Sequence, residues 1–257
     1  VVDVHLRNSP FWTVHLWASS FVEVAHVHIY APSSSPNTDG VDPDSSHDVH
    51  VHHIDVHNGD DGIAVKSGMN EAGLRFNTST HNVLVEHSVF SYGHGLSVGS
   101  EMSGGVYNVT FRHNEVWFSG SAAYVKTAVS RGGFVRDVVF DNNTATNVDR
   151  HIRLNVGYDS SPPPPHTPLA TIDNITYRRL AATHAKHAGE LACSAAIPCT
   201  NLHFDTVSAT AVEGYTCAHA YGDQVDCKPD VCIEPPPPPP PPHRRPPRAR
   251  IGSSIDR

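Results

Sequence analysis

The stretch VHVHHIDV, residues 49–56, sets Val49 and Val51 two residues apart and follows them with a polar stretch. Residues i and i+2 point to one face of a strand, so this short run presents one apolar edge. The same template recurs along the chain in VEVAHVHI (22–29), VLVEHSVF (83–90), VTFRHNEV (109–116), VVFDNNTA (138–145), ITYRRLAA (175–182) and LHFDTVSA (202–209). Aligned on Val22, Val49, Val83, Val109, Val138, Ile175 and Leu202, successive starts differ by 27, 34, 26, 29, 37 and 27 residues. No helical periodicity of useful length separates the strands, so βαβ crossovers are not expected. Short parallel strands recurring every few tens of residues, joined by turns, predict an all-β chain folded as a parallel β-helix, each coil burying its inward residues against the next. A β-sandwich competes, but it would call for hairpin turns and shorter strand spacing.

Composition agrees. Of 257 residues, 39% are hydrophobic, and 18 Gly, 21 Pro and 20 His suit a turn-rich β protein better than a helical bundle. A formal net charge of −8 argues against a general nucleic-acid binder, and an acidic polymer would need a locally basic site. No apolar run approaches the roughly 20 residues of a membrane span. The chain opens on strand-like alternation without an initiating Met, which reads as a processed or partial chain. The five cysteines, Cys193, Cys199, Cys217, Cys227 and Cys232, lie in the last quarter and do not match a zinc ribbon. Disulfides in a secreted protein are expected, with the odd cysteine either free or paired with one outside this sequence. Four N-x-S/T sequons, at Asn77, Asn108, Asn142 and Asn174, favour the same extracellular route.

Three segments follow: a β-helix domain over 1–215, a cysteine-containing segment over 216–233, and a Pro-rich, basic tail over 234–257 that is expected to be disordered. A second proline cluster, SPPPPHTP (161–168), interrupts the repeat at its longest spacing and reads as an exposed loop insertion. Asn108, Asn114 and Asn143 fall at or near turns, where Asn tolerates left-handed backbone.

A second alignment bears on chemistry. Asp39-Gly40-Val41, Asp61-Gly62-Ile63 and His94-Gly95-Leu96 share one form on three successive repeats, and Tyr124-Val125-Lys126 fits one repeat later with Val125 in the apolar slot. Neighbouring coils lie about 4.8 Å apart, so Asp39, Asp61 and His94 would form a column with Asp60 alongside and Lys126 facing outward nearby. Glycoside hydrolysis needs one protonated carboxyl and one carboxylate, and crowded acids raise at least one pKa. Lys126 and His94 would limit the repulsion and attract an anionic sugar. Strand histidines at i, i+2, such as His26 with His28 and His50 with His52, can bind Zn²⁺ or Cu²⁺, but most histidines simply fill outward positions, and no metal site is expected.

NSPFWTVH (8–15), NTDGVDPDS (37–45), GDDGIAVKSG (59–68), GHGLSVGSEMSGG (93–105) and YVKTAVSRGG (124–133) occur in this order. Together they resemble the polygalacturonases, glycoside hydrolase family 28, over roughly positions 8–210. The resemblance implies a right-handed parallel β-helix and an inverting, cofactor-independent hydrolase of α-1,4 bonds between galacturonic acids, secreted, acting as a monomer on cell-wall pectin. It implies Asp60 as general acid, Asp39 and Asp61 as water-activating bases, His94 as support for the acid, and Lys126 with position 124 as binders of the substrate carboxylate. A later substrate-binding tyrosine of the family would match Tyr158. The family's calcium-dependent relatives, the pectate lyases, have a calcium-site pattern that is absent here. The family's full catalytic domain is longer, so the resemblance implies that several of its N-terminal coils are absent from this sequence. Three departures stand out. Tyr124 replaces an Arg whose fork Tyr cannot reproduce, Gly62 replaces a Cys after the acid pair, and Ser46 stands where a further Cys is expected. They leave open a shifted uronic-acid or rhamnogalacturonan-type specificity, or a catalytically impaired wall-binding β-helix.

Overall fold

The computed structural model describes residues 1–163 and 165–235. They form a right-handed parallel β-helix in which every strand ladder is parallel and three strand faces wind around one core. One face stacks Ser20–Ala25, His47–His52, Thr80–Glu86, Val106–Arg112, Phe134–Asp141, Thr171–Arg178, Cys199–Asp205 and Ala220–Val225. The repeat template lies on this face in the expected register: Val22 pairs with Val49, Val49 with Val83, Val83 with Val109, Val109 with Val138, Val138 with Ile175, and Ile175 with Leu202. A second face begins with His5–Arg7, and a third, which carries the candidate site, runs Val14–Trp17, Val41–Asp44, Ile63–Val65, Leu96–Val98, Ser121–Lys126 and Arg150–Asn155. The long strand Ala181–Ala192 joins the last two faces.

Inside, equal register positions put like side chains in columns. Phe111, Phe140, Tyr177 and Phe204 stack with centroids 4.8, 5.3 and 4.9 Å apart. At the neighbouring turn the expected turn asparagines have a further task. Asn114 and Asn143 point inward, are buried, and form a ladder: the Ser88 amide donates to Asn114 Oδ1 (3.1 Å), and the Asn114 amide to Asn143 Oδ1 (2.9 Å). Each also donates from Nδ2 to a carbonyl of the preceding strand, Val85 and Phe111. These bonds satisfy backbone groups that a turn would otherwise bury unpaired.

Cys193 pairs with Cys199 and Cys217 with Cys232, leaving Cys227 as the buried free thiol. Stacking continues past position 215: Ser208–Ala218 runs across it, and Ala220–Val225 pairs with Cys199–Asp205. The tail expectation falls largely on residues 236–257, which lie outside the described residues. No helix among the described residues is long and apolar enough to cross a membrane.

One register expectation needs correction. Ala123, and not Val125, pairs with Leu96, and Val125 pairs with Val98. A slip of two residues leaves the same side chains facing inward, so the apolar pattern alone cannot separate the two registers. The correction aligns Lys126 with Gly99, the residue after Val98, and Gly99 aligns in turn with Lys66, the residue after Val65. Lys66 and Lys126 therefore occupy equivalent places two coils apart, with Gly99 between them. A Cβ at Gly99 would lie 2.1 Å from the Lys126 carbonyl oxygen, and its φ of +84° suits glycine.

Candidate active site

The X-Gly-apolar column forms as expected. Val41 and Leu96 both pair with Ile63, which brings Asp39, Asp61 and His94 to one bend. The backbone closes there without side chains: a Cβ on Gly40 would lie 2.4 Å from the Gly62 carbonyl, and one on Gly62 would lie 2.5 Å from Phe90 Cδ1. The Phe90 ring thus occupies the space that a cysteine at 62 would need. Ser46, the other replaced cysteine, is fully buried; it donates to the Leu16 carbonyl and accepts from the Ser19 amide, tying two coils by hydrogen bonds.

A polar groove opens over this bend, lined by Trp12, Asn37, Asp39, Asp60, Asp61, Lys66, Ser100, Glu101, Lys126 and Tyr158. Oxygens of Asp39, Asp60 and Asp61 lie within 4.8 Å of one another, close enough to share one water or one cation. Asp60 is half-buried, and its carboxylate accepts from the Asn37 and Asp61 amides (3.0 and 2.9 Å), which fix its orientation at the groove. Asp61 is buried and accepts from Lys126 Nζ (2.7 Å) and Ser97 Oγ (2.8 Å). Burial opposes charge on Asp61, but the ammonium groups of Lys126 and Lys66 outweigh it and hold the carboxyl below its ordinary range. Asp39 goes the other way. Burial, then the charge of Asp61, pushes it up to about 7, although Lys66 Nζ lies 3.3 Å away. Two neighbouring carboxyls are thereby driven apart in proton affinity, so that one holds a proton more readily while the other stays ionised.

Both lysines stay charged despite burial, because surrounding carboxylates raise their proton affinity. Lys126, expected to face outward, does leave the coil interior but is only 3% exposed, covered by the Tyr158 and Tyr124 rings 4.9 and 5.1 Å from Nζ. Tyr158 is half-exposed at the groove edge. Tyr124, expected to bind substrate, is buried behind Lys126, with the Arg153 guanidinium 4.8 Å over its ring. His94 is half-buried beside the column; its amide donates to the Asp60 carbonyl (3.1 Å), and it lies outside the groove lining.

Sequence reasoning missed Lys66, Glu101 and Trp12. Lys66 Nζ contacts Glu101 Oε2 at 3.2 Å and stands 4.1 Å from the Trp12 ring centroid. Beneath it, Asp42 is fully buried with neither carboxylate oxygen hydrogen-bonded, and burial raises it well above the carboxyl range. The usable signal was the register equivalence of Lys66 with Lys126, which the two-residue slip concealed.

The profile of glycosyl hydrolases family 28 matches residues 1–226. A probable polygalacturonase of Vitis vinifera is 30% identical over 212 residues, covering 81% of this chain and 43% of that protein. The endo-polygalacturonase of Pectobacterium carotovorum subsp. carotovorum is 32% identical over 157 residues, covering 61% and 37%. Among solved structures, a hyperthermoactive exopolygalacturonase from Thermotoga maritima superposes with a TM-score of 0.78 at 27% identity, covering 88% of this chain and 51% of that one. The chain thus spans less than half the length of these two sequence relatives.

Proposed function

The chain belongs to glycosyl hydrolases family 28, and from that premise we propose that it hydrolyses α-1,4 bonds between galacturonic acid units of a pectin-like polymer outside the cell, as part of a cell-wall-degrading activity. The observation that carries this reading is the cluster of Asp39, Asp60 and Asp61 oxygens within 4.8 Å, flanked by two buried ammonium groups. Asp60, the most accessible of the three, delivers its proton to the glycosidic oxygen. Asp61, held ionised by Lys126, takes a proton from water, and Asp39 holds that water from the adjacent coil. Lys126, with Tyr158 at the groove edge, receives the galacturonate carboxylate, and His94 supports the acid side through the Asp60 backbone.

Inverting enzymes usually separate acid and base by about 6.5–9.5 Å to admit water. The oxygens here are closer, so the anomeric outcome is worth measuring directly. Polygalacturonic acid should yield new reducing ends, with the inverted anomer first by NMR, and Asp60→Asn should lower the rate at least about 10³-fold with the fold intact. Folded wild-type chain that releases no reducing ends, or a fully active Asp60→Asn, would sink the proposal.

A second reading, a shifted uronic-acid specificity, rests on Tyr124. It fills the place of a forked Arg, while Arg153 one coil away is engaged by Glu190 at 2.8 Å. A panel of uronic-acid polymers tested with Tyr124→Arg separates the readings: unchanged preference counts against the shift.

A further inference from the structure

One cation of the YVKTAVSRGG stretch lies outside the groove lining, yet three segments around the groove meet on it. Arg131 is 5% exposed. Its Nη1 donates to Asn70 Oδ1 at the start of the short helix Asn70–Phe76 (2.7 Å) and lies 3.7 Å from Asp159 Oδ2. Its Nη2 donates to Ser100 Oγ (3.4 Å) and lies 4.0 Å from Glu101 Oε1. The two carboxylates stand beyond hydrogen-bond length, so charge draws them in, and a buried cation needs such counter-charges. A planar fork with donors on both terminal nitrogens reaches several segments at once, which an ammonium on a flexible stem cannot do.

Two of these contacts lead to the groove. Glu101 divides its carboxylate: Oε1 accepts from Ser100 Oγ (3.2 Å) on the Arg131 side, and Oε2 faces Lys66 Nζ (3.2 Å), which stands 3.3 Å from Asp39. Holding Oε1 presents Oε2 to the lysine and keeps the side chain from swinging across the groove. Asp159 follows Tyr158, whose amide donates to the Thr127 carbonyl (3.0 Å) and whose ring lies 4.9 Å from Lys126 Nζ. The loop is thereby fixed at Tyr158 by a backbone bond and one residue later by an ion pair.

We propose that Arg131 is a positioning residue of the hydrolase: from behind the groove it holds Glu101 and the Tyr158 loop where they meet the sugar units beside the scissile bond. This role rests on the hydrolase reading of the groove. Arg131 itself touches no substrate, and the groups it places bind the ground state, so its loss should appear in KM more than in kcat. A side chain that merely kept the coils folded would, when removed, shrink the active fraction, lowering apparent kcat and leaving KM alone.

Steady-state hydrolysis of polygalacturonic acid, with a urea midpoint for each variant, tests the role. Arg131→Met, which keeps the stem and loses the fork, should raise KM at least about tenfold and change kcat less than about threefold. Arg131→Lys, which keeps the charge, should fall between wild type and Arg131→Met. Asp159→Asn, at a side chain 30% exposed, should raise KM about threefold in the wild-type background. In the Arg131→Met background it should leave KM unchanged, because the pair it breaks is already lost. An unchanged KM in Asp159→Asn would overturn the proposal even where Arg131→Met does not fold. So would a folded Arg131→Met with wild-type KM, additive effects of the two substitutions, or a loss in Arg131→Met that Arg131→Lys does not relieve. Wild-type chain without turnover overturns the function proposal and this role with it; turnover whose KM ignores Arg131 overturns this role alone.

Discussion

Replacing Lys66 with methionine tests the electrostatic account of the groove. Lys66 Nζ lies 3.3 Å from Asp39 Oδ2 and 3.2 Å from Glu101 Oε2, and the residue is 3% exposed. At an effective dielectric near 20, one contact of this length is worth about 5 kcal/mol. Desolvation of the ammonium offsets part of that, and breaking a buried pair by removing one partner costs about 3–5 kcal/mol. Methionine keeps most of the volume, so charge dominates the change. Burial has already pushed Asp39 to about 7 and Asp42 well above the ordinary range, and losing Lys66 raises both further. A carboxyl whose folded pKa exceeds its unfolded one contributes stability that is present at low pH and lost as pH rises through the folded value. The variant's deficit should therefore be smaller at pH 5, where Asp39 and Asp42 hold protons, and reach about 3–5 kcal/mol at pH 8. Urea denaturation of both proteins at the two pH values measures it. Equal midpoints at pH 8, or a deficit as large at pH 5 as at pH 8, would refute the reasoning.

His151 is buried with Nδ1 unpartnered, and burial lowers its pKa to about 4. The unfolded chain takes up that proton near 6.5, so stability falls as pH drops from about 6.5 to 4, by roughly 3 kcal/mol; His151→Leu should flatten this window relative to wild type in denaturation against pH. Asn114→Ala removes the ladder bonds to the Ser88 amide and the Val85 carbonyl. It should cost about 2–4 kcal/mol in urea unfolding, since both backbone groups stay buried. Phe140→Ala breaks the aromatic column between Phe111 and Tyr177 and should cost about 3–5 kcal/mol by the same measurement.

Much of the candidate site was legible because it rides on the coil repeat. Asp39, Asp61 and His94 precede glycine and an apolar residue on successive coils, and the glycines are required where backbone meets backbone, as at Gly40 against Gly62. The lysines were harder. Lys66 lies in a quoted motif, yet its importance comes from Asp39, Asp42 and Glu101, which reach it from other coils, and no local pattern records those distances. Tyr124 shows the same limit: its place behind Lys126 depends on a two-residue register choice to which strand alternation is blind.

The sequence by itself determined the winding. Each coil repeats an apolar-x-apolar strand, and stacking like on like is how those stripes leave water, so the ladder from Val22 to Leu202 could be read before any coordinates. Only the tertiary structure decided which acids carry protons and which cations stay charged. Those properties depend on burial and on separations of about 3 Å between groups up to 65 residues apart, as between Asp61 and Lys126. Proton affinity in a low-dielectric groove is set by such neighbours in space, whereas a repeat fixes only which face a side chain leaves from.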